Sequence, residues 1–311
     1  MIEQEYKEYI NYLNKYNYLM EIETCLSNHE PLVFQKAAKR EILINKLLEM
    51  ISIKMPFSLI RLGDGEGNIL LWGIHKKNIH TLALNNLSKS LGLLFGKHKF
   101  EKSDYDKLYE LMSLSIIESN ILGLPTIHQE KKILDNPFNE PINIRGNTGY
   151  LGVWDWLLKK DICCNTHKKI ITNSHFHTVI GENISSILNN NISVSLITCY
   201  PELLDSLAKN FRIKKGESFL IPPQASNTKK TPENSHFHDV FNDIIKEIES
   251  KNLSGQLYLV GAGVLGKIYC AKIKQSGGMA IDVGSMMDAW IGEKARNYHN
   301  DDFITKHKLN N

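Results

Sequence analysis

At 311 residues, with 42% hydrophobic and 23% charged side chains, the chain is long enough to bury a sizeable core and too apolar for wholesale disorder. Thirty-seven Lys and Arg against thirty-four Asp and Glu leave a net charge of +3, which is too small to make nucleic acid the default partner. Five cysteines (Cys25, Cys163, Cys164, Cys199 and Cys270), an odd number with no C-x-x-C pair, argue against both a disulfide framework and a zinc ribbon.

The opening stretch, MIEQEYKEYINYLNKYNY, alternates charge with tyrosine and lacks the basic-then-apolar profile of a secretion signal. No run of about 18 apolar residues is present to span a bilayer. The expected setting is the cytoplasm, with peripheral membrane contact at most. Residues 34–51 then place apolar side chains at 34, 37, 38, 44, 47, 48 and 51, the spacing of an amphipathic helix. FSLIRL at 57–62 reads as a buried strand broken by Gly63. Six more runs of this kind follow at 120–125, 168–172, 194–199, 218–222, 256–261 and 279–284.

Between most of these strands lie helical patterns, one of them opened by Ser103 with Asp106 three residues on. The alternation predicts an α/β fold: a mostly parallel, Rossmann-like sheet with helices on both faces, preceded by N-terminal helices. We divide the chain into an N-terminal helical segment (1–55), an α/β catalytic domain (56–298) and a polar tail (299–311). Two stretches rich in Asn, Pro and charge, 128–149 and 222–235, read as loops.

In a parallel sheet, functional residues belong just after the strands. The first strand delivers Arg61, Gly63, Asp64, Gly65 and Glu66 into a loop. Two carboxylates two residues apart suit a hard divalent cation, the glycines let a phosphate approach the backbone, and Arg61 adds a fork for phosphate oxygens. A solvated turn would use the same residue types. Near the other end, Gly261-x-Gly263-x-x-Gly266 lies between a strand and a helix, and Asp282 ends the next strand. This is the local context of a dinucleotide fingerprint and points toward an oxidoreductase. Too little chain follows for a complete dinucleotide domain, so the site reads better as half of a nucleotide pocket. Tight strand-helix packing is the alternative explanation of the glycines.

Asp288 falls on the first turn of the helix after Asp282, where it either enters the cleft or interacts with the helix dipole. Trp290 is open between core packing and ring stacking. The pairs His175/His177 and His236/His238, with Cys163, Cys164 and His167 near the first, match no standard zinc spacing and read as surface or capping residues.

FSLIRLGDGEG together with LVGAGVLGKIYCAKIKQSGGMAIDVGSMMDAW resembles the bacterial glycosyltransferases of the D-type fold, which include capsule and surface-glycan enzymes. The resemblance spans roughly residues 56–296 and is thin in the middle. It implies that Asp64 and Glu66 stand where the family's D-x-E carboxylates serve the metal and nucleotide-sugar site. It also covers Arg61, Gly263, Lys267, Asp282, Gly284, Asp288 and Arg296, and places His236 at a family-like histidine.

The expected function is therefore transfer of a sugar, of hexosyltransferase type, from a nucleotide-diphosphate donor to a glycan or lipid-linked acceptor in polysaccharide biosynthesis. A UDP-sugar is the expected donor, assisted by Mn²⁺ or Mg²⁺ on Asp64 and Glu66. Catalytic roles fall to Asp64, Glu66, Asp288 and His236, with Glu66 or Asp288 as the base. Donor binding falls to Arg61, Gly63, Gly261, Gly263, Lys267, Asp282 and Gly284. An NAD(P)- or nucleotide-dependent oxidoreductase and a non-catalytic nucleotide-sugar-binding module are the alternatives. In either enzyme reading, the Asp64 loop, the Gly261 turn and the Asp282 to Asp288 segment are expected on one edge of one sheet.

Overall fold

The computed structural model describes residues 1–28, 37–162, 169–188, 192–227 and 233–310. Cys163, Cys164 and His167 lie outside the described residues, as does the start of the predicted 34–51 helix, which runs over Ala37–Ser52. Seven strands form one sheet: β1 (Phe57–Arg61), β2 (Ile121–Leu124), β3 (Ile170–Asn173), β4 (Ser193–Thr198), β5 (Lys214–Leu220), β6 (Gln256–Val260) and β7 (Met279–Asp282). Their order is β3-β2-β1-β7-β6-β4-β5, and every pairing is parallel.

Alternation along the strands explains the layers. Phe57, Leu59, Leu257, Leu259, Met279 and Ile281 point into one hydrophobic cluster, whereas Ile60, Tyr258, Val260 and Ala280 point into the other. Both faces of the sheet are thus apolar and must be covered. The first cluster is closed by helices Ala37–Ser52, Phe176–Glu182, Leu203–Asn210 and Met286–Ile291. Over the second lie the N-terminal helices Ile2–Lys15 and Tyr18–Asn28, helices Asp64–His75, His80–Phe95, Lys102–Glu118 and Ile144–Lys159, and helix Leu265–Gln275. No described helix is long and apolar enough to cross a membrane.

The structure corrects four sequence readings. Residues 128–149 are largely helical: helices Ile127–Asp135 and Ile144–Lys159 occupy most of the stretch. Thr126 and Asn143 cap them by accepting from Gln129 N and Gly146 N, so the loop shrinks to 136–143. The fifth strand starts at Lys214, earlier than the apolar run, because β5 is a sheet edge that pairs only with β4 and tolerates Lys214, Lys215 and Glu217. Helix Lys102–Glu118 is capped two residues earlier than Ser103 and Asp106 suggest, with the Glu101 amide donating to Asp104 Oδ2 at 2.9 Å. The segment read as a polar tail contains helix Asp301–His307, and Ile304 and Leu309 pack into the core while the Leu309 amide donates to Trp290 O.

Helices Asp64–His75 and Ile144–Lys159 cross with their backbones in contact. A Cβ on Gly149 would stand 2.2 Å from Asp64 O, and one on Gly67 would stand 1.6 Å from Gly149 O. Only glycine allows this approach, and it brings the N-termini of the two helices together. Asn68 locks the crossing by donating to Asp64 O at 2.8 Å and Arg145 O at 3.0 Å. Gly149→Ala must push the helices apart, and we expect roughly 1–3 kcal/mol of lost stability in urea unfolding, the usual cost of overpacking. An unchanged midpoint would mean that the crossing is not the close contact described.

Candidate functional site

Because every strand is parallel, the loops after β1, β6 and β7 emerge on one edge of the sheet. Strand β1 pairs directly with β7, Phe57 opposite Met279, and β7 pairs with β6. Segments from opposite ends of the chain therefore meet, as the common-edge expectation requires.

Their junction is a buried ion cluster. Lys267, only 2% exposed, sets its ammonium 2.7 Å from Glu66 Oε1 and 2.9 Å from Asp282 Oδ2, and donates to Gly263 O at 3.0 Å. The Asp282 contact is an ion pair without the alignment of a hydrogen bond. Arg61 Nε lies 3.9 Å from Asp282 Oδ2. Glu66 is the third residue of its helix and its Oε2 accepts from the Gly63 amide at 2.9 Å, the carboxylate half of a capping box. Burial raises the Glu66 carboxyl, but Lys267, Arg61 and the Gly63 amide outweigh it and hold the group below the usual carboxylate range. Burial likewise opposes the charge on Lys267, while Asp282 and Glu66 raise its pKa above the ordinary lysine value.

Asp64 and Glu66 look alike in sequence and part company here. Asp64 is a third exposed, and its Oδ2 accepts from Arg145 Nη1 at 2.6 Å. Both Glu66 oxygens are engaged by the protein, Oε1 by the Lys267 ammonium and Oε2 by the Gly63 amide. The second Asp64 oxygen receives no hydrogen bond from any described residue. Among the described residues, no three His, Cys, Asp or Glu side chains cluster as a metal centre. Asp64 alone fits a cation that takes its remaining ligands from phosphate oxygens and water.

Two adjoining cavities open along this edge. The larger, about 560 Å³, is walled by Tyr200, Phe95, Ile221, Pro222, Pro223 and Asp288. The smaller, about 340 Å³, is lined by Asp64, Ser90, Arg145, Tyr150, Ser174 and His175. Arg61, Gln224, Gly263, Val264 and Arg296 line both. Gly263 has φ +56°, a left-handed turn that favours glycine, and it leads into helix Leu265–Gln275, whose first-turn amides lack helical acceptors. The Arg61 guanidinium lies against Gly284, where a Cβ would stand 2.7 Å from Nη2. Arg296 spans the opening by donating to Gln224 Oε1 at 3.3 Å.

Gly63 lines the smaller cavity, and Gly261 and Gly284 the larger. Asp282 is fully buried beneath both. Asp288 faces the larger cavity and accepts from Tyr200 OH at 2.6 Å. Burial lifts its carboxyl above the ordinary value even though Tyr200 and Arg296 act the other way. His236 is 6% exposed, bonds through Nε2 to Tyr269 OH at 3.0 Å, and is driven by burial down to about 3, so it is a neutral wall residue. Trp290, at 1% exposure, belongs to the core.

Arg145, Tyr150, Tyr200 and Gln224 were missed in the sequence. Tyr200 carries a usable signal, since it follows β4 directly. Arg145 carries none, because its place beside Asp64 depends on the glycine crossing.

Fold and cleft together define an α/β domain with a ligand crevice at the carboxyl edge of a parallel sheet. The chain matches no protein family, and no curated protein matches it in sequence. Among solved structures it is similar to a selenomethionine-substituted domain of unknown function 1792, with a TM-score of 0.43 and 14% identity over 86% of this chain and 88% of that one. A second structure of that domain, described as having a distinct glycosyltransferase fold, gives a TM-score of 0.41 and 15% identity over the same shares.

Lys267→Met tests the ion cluster. The wild-type Glu66 contribution is present above its unfolded value near 4.5 and lost as pH falls through the lower folded value. That of Lys267 is present below 10.5 and lost as pH rises through the higher folded value. Neither slopes near neutrality. In the variant Glu66 keeps its burial and loses Lys267, the larger of the two cations that hold its carboxyl down, so its folded value rises and stability should fall as pH increases from about 5 to 8. At pH 7 the loss should be about 3–5 kcal/mol in urea unfolding. A variant as stable as wild type, with no slope, would contradict the cluster.

Proposed function

We propose that the protein is a glycosyltransferase whose donor is a nucleotide-diphosphate sugar and whose acceptor is a glycan or lipid-linked saccharide. One observation carries the reading. The wall shared by the two cavities combines Arg61, Arg296, the Gly263 turn and a helix N-terminus, an anion seat with a chamber on each side. A donor has the matching shape, a diphosphate between a nucleoside and a sugar. The sequence blocks that resemble D-type glycosyltransferases are the ones that build this wall.

Departure of the sugar leaves negative charge on the diphosphate, and preorganised positive groups act where that charge develops. Arg61 and Arg296 line the seat directly, and Lys267 adds its charge from beneath. Asp64 is the residue that would hold Mn²⁺ or Mg²⁺; when bound, the cation would supply further neutralisation of the diphosphate. Glu66 braces the site through Lys267. Asp288, oriented by Tyr200, faces the larger chamber, where a carboxylate suits ribose hydroxyls. His236 supplies a neutral wall. Asp282, expected among the donor-binding residues, is fully buried against Lys267 and bears on the seat through that lysine.

Thermal unfolding with a ligand panel tests the proposal, since a ligand that binds only the folded state stabilises it by about 2.7 kcal/mol at a hundredfold excess over Kd. UDP or GDP should raise the melting temperature, further with Mn²⁺ and less with EDTA, and NAD(H) should not. Stabilisation by NAD(H) alone would overturn the reading. Asp64→Asn should keep the nucleotide effect, lose the Mn²⁺ increment and lower sugar transfer at least about a hundredfold. Wild-type turnover in Asp64→Asn would return Asp64 to a solvated turn, and nucleotide-sugar binding without transfer or hydrolysis would indicate a binding module.

A further inference from the structure

We propose that the smaller chamber is the sugar subsite and that Tyr150 and His175 select the sugar; this rests on the donor reading above. With the diphosphate on the shared wall, the two ends of the donor must enter different chambers. Beside the charged Asp288, Glu293 and Lys294, the larger one has flat and apolar groups, among them Tyr200, Pro222 and Pro223, which suit a nucleobase. The smaller presents the hydroxyls of Ser90, Ser174 and Tyr150 and the imidazole of His175, with the Asp64–Arg145 pair at 2.6 Å. Hydroxyls, an imidazole and a carboxylate-guanidinium pair donate to and accept from sugar hydroxyls.

Hydrogen bonds hold the lining in place, His177 and Tyr298 being part of it. His177 Nε2 lies 2.8 Å from Tyr298 OH, which lies 2.7 Å from Ser285 Oγ, tying the turn after β3 to the turn after β7. The His175 amide donates to Asn173 Oδ1 at 2.7 Å. Tyr150 stands on the glycine-packed helix Ile144–Lys159. A subsite built on such fixed supports discriminates between sugars by leaving unpaired groups when the wrong hydroxyl arrives. The elements are also separate. Tyr150 and His175 come from helix Ile144–Lys159 and the turn after β3, whereas the larger chamber is built by the loops after β4, β5, β6 and β7 and the end of helix His80–Phe95. Nucleotide and sugar recognition should therefore be separable by mutation.

Calorimetry on the full chain with UDP, UDP-glucose, GDP and GDP-mannose tests this, on wild type and on Tyr150→Phe, His175→Ala and Tyr200→Phe, each first confirmed folded by its melting curve. For the nucleotide that wild type binds, Tyr150→Phe and His175→Ala should leave the Kd of the free diphosphate within about twofold and weaken the matching nucleotide sugar about fivefold or more, the loss of one hydrogen bond. Tyr200→Phe should weaken both alike. If Tyr150→Phe and His175→Ala weaken both ligands equally, or neither, or change only the acceptor concentration needed for transfer, the sugar lies elsewhere while the donor reading stands. If wild type binds no nucleotide, both fall together.

Discussion

A single buried ammonium ties the edge of this sheet together. Lys267 touches Glu66 in the first turn of the helix after β1, Asp282 at the end of β7 and the carbonyl of Gly263 after β6, so three segments from both ends of the chain share one cation. With Arg61, a quarter exposed where it lines the cavities, the cluster balances two positive against two negative groups. Such clusters stabilise little relative to an apolar replacement, but removing one member is costly, which makes them good at fixing relative positions. What Lys267 fixes is the floor on which the Gly263 turn and the Arg61 guanidinium rest.

The cleft above follows from that floor and from one helix crossing. Strand order sets β1 beside β7, and parallel pairing sends their loops to the same edge. The glycine contact between helices Asp64–His75 and Ile144–Lys159 then brings Arg145 to Asp64. Both residues of the D-x-E pair line the smaller cavity, Glu66 largely buried and Asp64 a third exposed. The division of labour comes from position on the helix: Asp64 begins it, whereas Glu66 reaches back to the Gly63 amide and down to Lys267.

Much of the fold was legible in the sequence because strands buried on both faces must be short apolar runs bounded by turn residues, and all seven were found. The edge strand β5 began earlier than its apolar residues because an edge has no second neighbour to demand them. Residues 128–149 were misread because their Asn and Pro content hid two capped helices, Thr126 and Asn143 being caps rather than loop filler. In the cleft, residues that follow a strand were accessible to sequence logic, including Asp64, Gly263 and Asp288. The partners that decide their roles were not. Arg145 beside Asp64 and Lys267 beside Glu66 are long-range pairs that only the assembled sheet and helix crossing create.

The most direct test of the account is a crystal structure of the protein with UDP or GDP, whichever binds, and Mn²⁺. The account predicts the diphosphate on the shared wall, within hydrogen-bonding distance of Arg61 and the amides that follow Gly263, with the nucleoside in the chamber walled by Tyr200 and Pro222. A nucleotide seated away from that wall, or one with its base beside Tyr150 and His175, would contradict it.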